Sequence, residues 1–167
     1  MIDNILESAK LQSHSVQLSL QPVRLDAVIR DVIVRVNTRH KNLDIDLQLD
    51  SMEAIQGDVV RLTQVFDNLF SNAVKYAAGS KITVITKAEK DSLLITFSDN
   101  GPGIPKVYLP YIFERFYRVP GDHSSAGSGL GLYICNQIIS AHHGKIWVDS
   151  EINQGTTFYI QLPIDMN

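Results

Sequence analysis

Apolar residues along this chain recur at two periods, a helical one and a strict alternation. From Met1 to about Leu11, Ile2, Ile5, Leu6 and Ala9 form a short helical stripe opposite Asp3, Asn4, Glu7 and Lys10. A stripe this short is marginal as an isolated helix; it is expected to dock on something, as the cut end of a longer helix would. Gln12 to Ser15 interrupts the pattern. A second helix is predicted from Leu25, after Pro22, with Leu25, Val28, Ile29, Val32 and Val36 on one face, ending near Arg39, His40 and Lys41. Leu43, Ile45, Leu47 and Leu49 then alternate with Asp44, Asp46, Gln48 and Asp50, as in a half-buried strand. Asp58, after Gly57, is a suitable N-cap for a helix from Val59 to Ala77 that Gly79 ends. Strands follow over Ile82–Thr86 and Leu93–Ser98, joined by a polar turn. Val107 to Arg118 reads as partly helical and Pro120 to Ser128 as mobile. A further helix runs from about Leu130 to His143, stopped by Gly144, and strands over Lys145–Ser150 and Thr156–Leu162 flank an Asn153-Gln154-Gly155 turn. Helices interspersed with paired strands predict an α+β fold, a two-layer sandwich with one mixed sheet covered by helices on one side.

Composition narrows the classes. The 167 residues are 44% hydrophobic and 20% charged, enough for one globular core, which excludes intrinsic disorder. The formal net charge of -3 offers no global positive field for nucleic acid or anionic lipid, so any bound phosphate must be held locally. The single Cys135 rules out an internal disulfide framework and reads as a buried structural thiol. No apolar run reaches the roughly 18 residues needed to cross a bilayer, and no basic-then-apolar leader precedes the first helix. The expectation is a cytoplasmic domain without direct membrane insertion and without nucleic acid as a partner.

Three places carry candidate chemistry. On the Val59–Ala77 helix, Asn68, Asn72 and Lys75 lie within about 60° of one another, beside the apolar stripe of Leu62, Phe66, Leu69 and Ala73. This could be an ordinary solvated face, but Asn is a poor former of mid-helix structure. Two such amides four apart suggest oxygens required at one spot, as a hard cation bridging phosphates requires. At the end of the Leu93–Ser98 strand stands Asp99-Asn100-Gly101-Pro102-Gly103-Ile104. Its glycines allow close backbone approach and its carboxylate can accept from an exocyclic amine, although such turns also serve as plain connectors. Lastly, Gly127-Ser128-Gly129-Leu130-Gly131-Leu132 leads into a helix N-terminus, where free N–H groups make an anion site. It is neither a Walker loop nor a dinucleotide fingerprint, and alone it reads equally as a flexible linker.

Taken together and in this order, the three are far more specific than singly. Gln64 to Tyr76 resembles the N box of sensor histidine kinases, Asp99 to Ile104 their G1 box, Ile112-Phe113-Glu114-Arg115-Phe116-Tyr117-Arg118 their F box and Gly127 to Leu132 their G2 box. Gly144–Val148 and Gly155–Phe158 are similar to the family's closing strands, so the resemblance covers roughly residues 25 to 163. It implies the fold shared with gyrase and heat-shock chaperone ATPases, with about five mostly antiparallel strands under three main helices and a mobile ATP lid over residues 107–128. It further implies ATP with Mg²⁺ as cofactors. Asn72 would ligate Mg²⁺, with Asn68 beside it or acting through water, and Lys75 would neutralise phosphate charge. Tyr76 would lie against the adenine, Asp99 would accept from the adenine amine, and Gly101 and Gly103 would admit the base, with Ile104 closing that box. Tyr117 and Arg118 would approach the phosphates, the backbone of Gly127, Ser128, Gly129, Leu130, Gly131 and Leu132 would cap them, and Thr157 would sit at the base end. Phe113 and Phe116 would anchor the lid.

The same resemblance sets what is missing. A histidine kinase transfers phosphate to a His on a dimerising helical hairpin, followed by an acidic residue and Leu-Arg-Thr-Pro, and none of the five His has that context. His142 and His143 read instead as residues near the negative end of a helix dipole. Residues 1–20 are therefore expected to be the end of the hairpin helix and a linker, and 21–167 the catalytic domain. Its expected partners are the phosphoacceptor hairpin of a parent kinase and, downstream, a response regulator. Two other readings stay open. A gyrase-like ATPase would carry a Glu where this chain has Asn68, and a degenerate module would use the fold only for protein contacts.

Overall fold

A computed structural model describes residues 17–40, 43–50, 54–120 and 127–165. The expected Met1–Leu11 helix, His14 and His123 lie outside them. Among the described residues, three α-helices, α1 (Leu25–Arg39), α2 (Val59–Tyr76) and α3 (Gly131–Ala141), accompany seven strands. The strands are β1 (Gln21–Val23), β2 (Ile45–Leu49), β3 (Ile55–Gly57), β4 (Ile82–Ala88), β5 (Ser92–Asp99), β6 (Lys145–Glu151) and β7 (Gly155–Pro163). Five of them form one sheet in the order β2-β4-β5-β7-β6, with β2 and β4 parallel and every other pair antiparallel. The parallel pair follows from connectivity, because the chain returns from β2 to β4 through α2.

The sheet buries one face. Leu93, Ile95 and Phe97 on β5 and Phe158, Ile160 and Leu162 on β7 are buried at alternate positions, as the period of two requires. They share a single core with Leu62, Val65, Phe66, Leu69 and Phe70 of α2, Ile134, Ile138 and Ile139 of α3, and Leu25, Ile29 and Val32 of α1. The sheet-to-helix seam is marked by Phe70 and Phe97, whose rings meet edge to face at 4.9 Å. Such a pair adds to simple area burial because ring edge and ring face carry opposite partial charge. Asp58 caps α2, accepting from the N–H groups of Val60 at 3.0 Å and Arg61 at 3.1 Å. An Arg35–Asp67 ion pair at 3.2 Å joins α1 to α2, but both side chains are well exposed and solvent screening keeps it weak.

The α+β sandwich is as the pattern of helices and paired strands predicted, and the mostly antiparallel five-stranded sheet is as the family resemblance implied. Three features differ from the sequence reading. A second, two-stranded sheet pairs β1 with β3, three residues each, too short to leave a periodic signature. The partly helical segment is a 3₁₀ turn, Lys106–Tyr111. Of the two expected lid anchors, Phe113 is half-buried and packs on Phe158 at 6.4 Å, whereas Phe116 is 53% exposed. Phe116 is held through its backbone, and it is Ile112 that is buried in its place. Expected lid residues 121–126 lie outside the described residues. No helix among the described residues is long and apolar enough to cross a membrane.

Truncating the seam tests this packing. Phe70→Ala is expected to lower the free energy of unfolding in urea by about 3–5 kcal/mol. Val60→Ser, at a position 71% exposed, should stay within about 0.5 kcal/mol of the parent.

A candidate ligand cavity between helix and sheet

One cavity of about 560 Å³ opens where the ends of β5 and β7 meet the C-terminal half of α2 and the N-terminus of α3. Its α2 wall presents Asn68, Asn72, Lys75 and Tyr76, above a floor of Leu69, Ala73 and Phe97. The polar set lies one helical step from the buried stripe, so the packing that seats α2 on the sheet also aims these groups into the cavity. Asn68 is not wholly free, since its Nδ2 donates to the Gly131 carbonyl at 3.3 Å and leaves Oδ1 as its spare acceptor. Asn72 has no hydrogen-bond partner among the described residues. The Lys75 ammonium rests on its neighbour, donating to the Tyr76 hydroxyl and lying 4.3 Å from the ring centroid.

The opposite end is built by strand parity. Asp99 follows Leu93, Ile95 and Phe97 on the buried face of β5, and its register partner on β7 is Thr156. The Asp99 carboxylate accepts from Gly101 N–H at 2.8 Å and from the Thr156 backbone. Burial raises this carboxyl above its ordinary value, and those two N–H groups oppose the rise. Thr157, the residue expected here, does not line the cavity. The alternation that buries Phe158 turns Thr157 to the other face, where its hydroxyl meets Ser98 at 3.1 Å, and Thr156 takes the position. The parity of Phe158, Ile160 and Leu162 carried that information in the sequence.

The glycines of the turn have a different reason from the one expected. A Cβ on Gly103, at φ +71°, would lie 2.1 Å from the Glu151 carbonyl oxygen, and one on Gly101 would lie 2.5 Å from Ala77 Cβ. Both are demanded by protein packing, and Gly101 does not line the cavity, whereas Gly103 and Ile104 do.

The third wall is the glycine loop. Gly127, Ser128, Gly129, Gly131 and Leu132 line the cavity, while Leu130 is fully buried in the core and anchors the loop. A side chain on Gly127 would begin 2.8 Å from Lys75 Nζ. Gly129, at φ +67°, accepts from Phe116 N–H at 3.0 Å, and a Cβ there would meet the Phe116 backbone at 2.7 Å. The loop therefore fastens Tyr117 and Arg118 to the cavity rim. No side chain caps α3, so its first N–H groups stay available. Tyr108, Pro105, Ile112, Val119 and Pro120 also line the cavity and were not anticipated; the 3₁₀ turn that presents Tyr108 has no periodic signal.

The arrangement suits an elongated ligand. One end offers a carboxylate acceptor between apolar walls, the other a helix N-terminus, an ammonium and two amide oxygens. No group of three or more His, Cys, Asp or Glu exists among the described residues to cage a metal. The donor set fits a hard cation held by amide oxygens and by the ligand's own oxygens.

Known proteins are similar to this chain in sequence and in fold. Residues 57–166 match the family model described as histidine kinase-, DNA gyrase B- and HSP90-like ATPase. The adaptive-response sensory kinase SasA of Synechococcus elongatus is 34% identical over 169 residues, covering 98% of this chain and 44% of that protein. The chain spans less than half the length of the curated relatives it matches. Full-length ShkA, solved in complex with AMPPNP, superposes with a TM-score of 0.86 at 30% identity, over 97% of this chain and 35% of ShkA. A mycobacterial sensor histidine kinase, MprB, gives 0.75 at 31% identity over 86% of this chain and 97% of the solved one. The chain therefore belongs to the histidine kinase-, DNA gyrase B- and HSP90-like ATPase family, as a histidine kinase ATP-binding domain.

Proposed function

We propose that the cavity binds Mg-ATP and that this domain donates the γ-phosphoryl group to a histidine on a separate dimerisation and phosphoacceptor hairpin. A response regulator would receive the phosphoryl group next, in the cytoplasm. The observation that carries the reading is the polarity of this cavity, with Asp99 at one end and Asn72, Lys75 and the α3 N-terminus at the other. The AMPPNP bound by ShkA supports an adenine nucleotide as the ligand.

In this reading Asp99 accepts from the adenine amine, with Thr156, Gly103 and Ile104 around the base. Guanine carries a carbonyl oxygen at that place, which the carboxylate repels. Tyr76 gives up the Lys75 ammonium when the base and phosphates enter, and Lys75 turns to the phosphates. Asn72 and the free oxygen of Asn68 would hold Mg²⁺, which when bound supplies charge neutralisation to the phosphates. Gly127, Ser128, Gly129, Gly131 and Leu132 cover the phosphates, with Leu130 holding the loop down, and Tyr117 and Arg118 close from the rim.

Transfer then needs an imidazole nitrogen in line with the γ-phosphorus. The N–P bond forms as the bond to the ADP oxygen breaks, and the imidazole loses its proton. Most of the acceleration in such reactions comes from positioning and charge stabilisation, which the residues above would provide. Hydrolysis as the main outcome is disfavoured, because the amide of Asn68 cannot act as a general base for water.

Two outcomes are expected. Mg-ADP at a hundredfold excess over its Kd should raise stability by about 2.7 kcal/mol in thermal melts, and Asp99→Asn should weaken binding about tenfold or more by calorimetry. Unchanged affinity in Asp99→Asn would remove that carboxylate from the site. With labelled ATP, the chain alone should form no acid-labile phosphohistidine, while adding the matching hairpin in trans should label the hairpin weakly, since the covalent link that raises effective concentration is lacking. Asn72→Ala should abolish that label; transfer that survives the substitution would contradict the assignment.

A further inference from the structure

The α2 and α3 helices lie antiparallel, and their apolar contact is non-directional, so it sets their separation better than their slide along one another. Three polar ties fix the slide, one of them midway, where the Cys135 thiol donates to the Val65 carbonyl at 3.7 Å. At the cavity end, Asn68 Nδ2 donates to the Gly131 carbonyl. At the far end, the Asp58 backbone N–H donates to His142 Nε2 at 3.0 Å.

His142 is the C-cap of α3 and is 1% exposed. Its Nδ1 lies 2.8 Å from the Ile138 carbonyl oxygen. Since a carbonyl only accepts and a backbone N–H only donates, Nδ1 must carry the hydrogen and Nε2 must be bare. One neutral tautomer satisfies both partners, and the cation would set two N–H groups against each other. The sequence had suggested a cation at a helix end; burial makes the neutral ring the resident form. Asp58 is equally committed, since its carboxylate accepts from Ser19, Val60 and Arg61 N–H groups.

We propose that His142 is a positioning residue for the nucleotide site: as a neutral imidazole it locks the start of α2 to the end of α3, keeping Asn68 and Asn72 in register with the glycine loop, and a second proton on the ring releases that end and weakens nucleotide binding. The proposal rests on the nucleotide reading of the cavity. Among the described residues, the charged or titratable groups acting on the ring are Asp58, the N-cap of α2, whose carboxylate favours the cation, and His143, just past the C-cap of α3, which disfavours it. Arg61 acts on Asp58 in turn. From β3 comes Gly57, and from residues 17–20 the Ser19 N–H. Burial outweighs these and holds the imidazole below its ordinary value of 6.5. The joint is therefore complete above that value and is lost as pH falls through the lower, folded-state value.

The test is calorimetry of Mg-ADP binding to the wild type and to His142→Gln, which keeps an acceptor within reach of Asp58 N–H but does not titrate. At about pH 7.5 the two should bind alike, and as pH falls through the ring's lowered titration range the wild type should lose about fivefold more affinity than the variant. Parallel pH profiles would overturn the proposal alone, whereas a wild type that binds no Mg-ADP at neutral pH would overturn the nucleotide reading with it. Should His142→Gln not fold, ¹⁵N spectra of the wild-type ring decide. They should show the neutral Nδ1–H tautomer at neutral pH, titrating together with the affinity, and a cation or an Nε2–H ring there would refute it.

Discussion

The contact between Phe70 and Phe97 holds the rest of the site in place. Phe70 belongs to the helix that carries Asn68 and Asn72, and Phe97 to the strand that ends in Asp99. The two ends of the cavity, drawn from residues about thirty apart in sequence, are thus spaced by one buried aromatic pair. Because core packing is dense and side chains sit in fixed rotamers, the spacing is stiff. The polar groups inherit their positions from apolar ones, and the site needs few direct links between its own residues.

Some of the direct links bring backbone against backbone at glycines. Gly103 lets the turn after β5 lie on the Glu151 carbonyl, and Gly129 lets the loop before α3 lie on the Phe116 backbone. Ser150 stitches the same turn to the β6–β7 pair, accepting from Ile104 N–H and donating to the Gly155 carbonyl, both at 2.8 Å. Gly103, Gly129 and Gly155 mark where main chain meets main chain, so at these three the need for glycine comes from the protein's own packing.

Much of this was legible in the sequence because it rests on local rules. Asp58 as a cap, the stripe of α2 and the alternation of β2 depend on residues a few positions apart, and each formed as read. The expected cavity residues are largely brought together, but Thr156 stands where Thr157 was expected, and Leu130 serves the core. The first difference is a matter of strand parity, already encoded by Phe158. Other features depend on distant partners. His142 and the amide it accepts from are 84 residues apart, and the β1–β3 pairing joins segments of three residues each with no period of their own. No local pattern reports such contacts; only the assembled core brings them together.

In the proposed reading one cavity would recognise adenine through Asp99 and hold phosphates between Asn72 and the start of α3. The most direct measurement is an experimental structure of this chain with Mg²⁺ and a non-hydrolysable ATP analogue. It should show the adenine amine within hydrogen-bond distance of the Asp99 carboxylate, the metal on the Asn72 side-chain oxygen, and the phosphates beneath Gly127–Leu132. A nucleotide lying elsewhere, or in this cavity with its base turned away from Asp99, would contradict it.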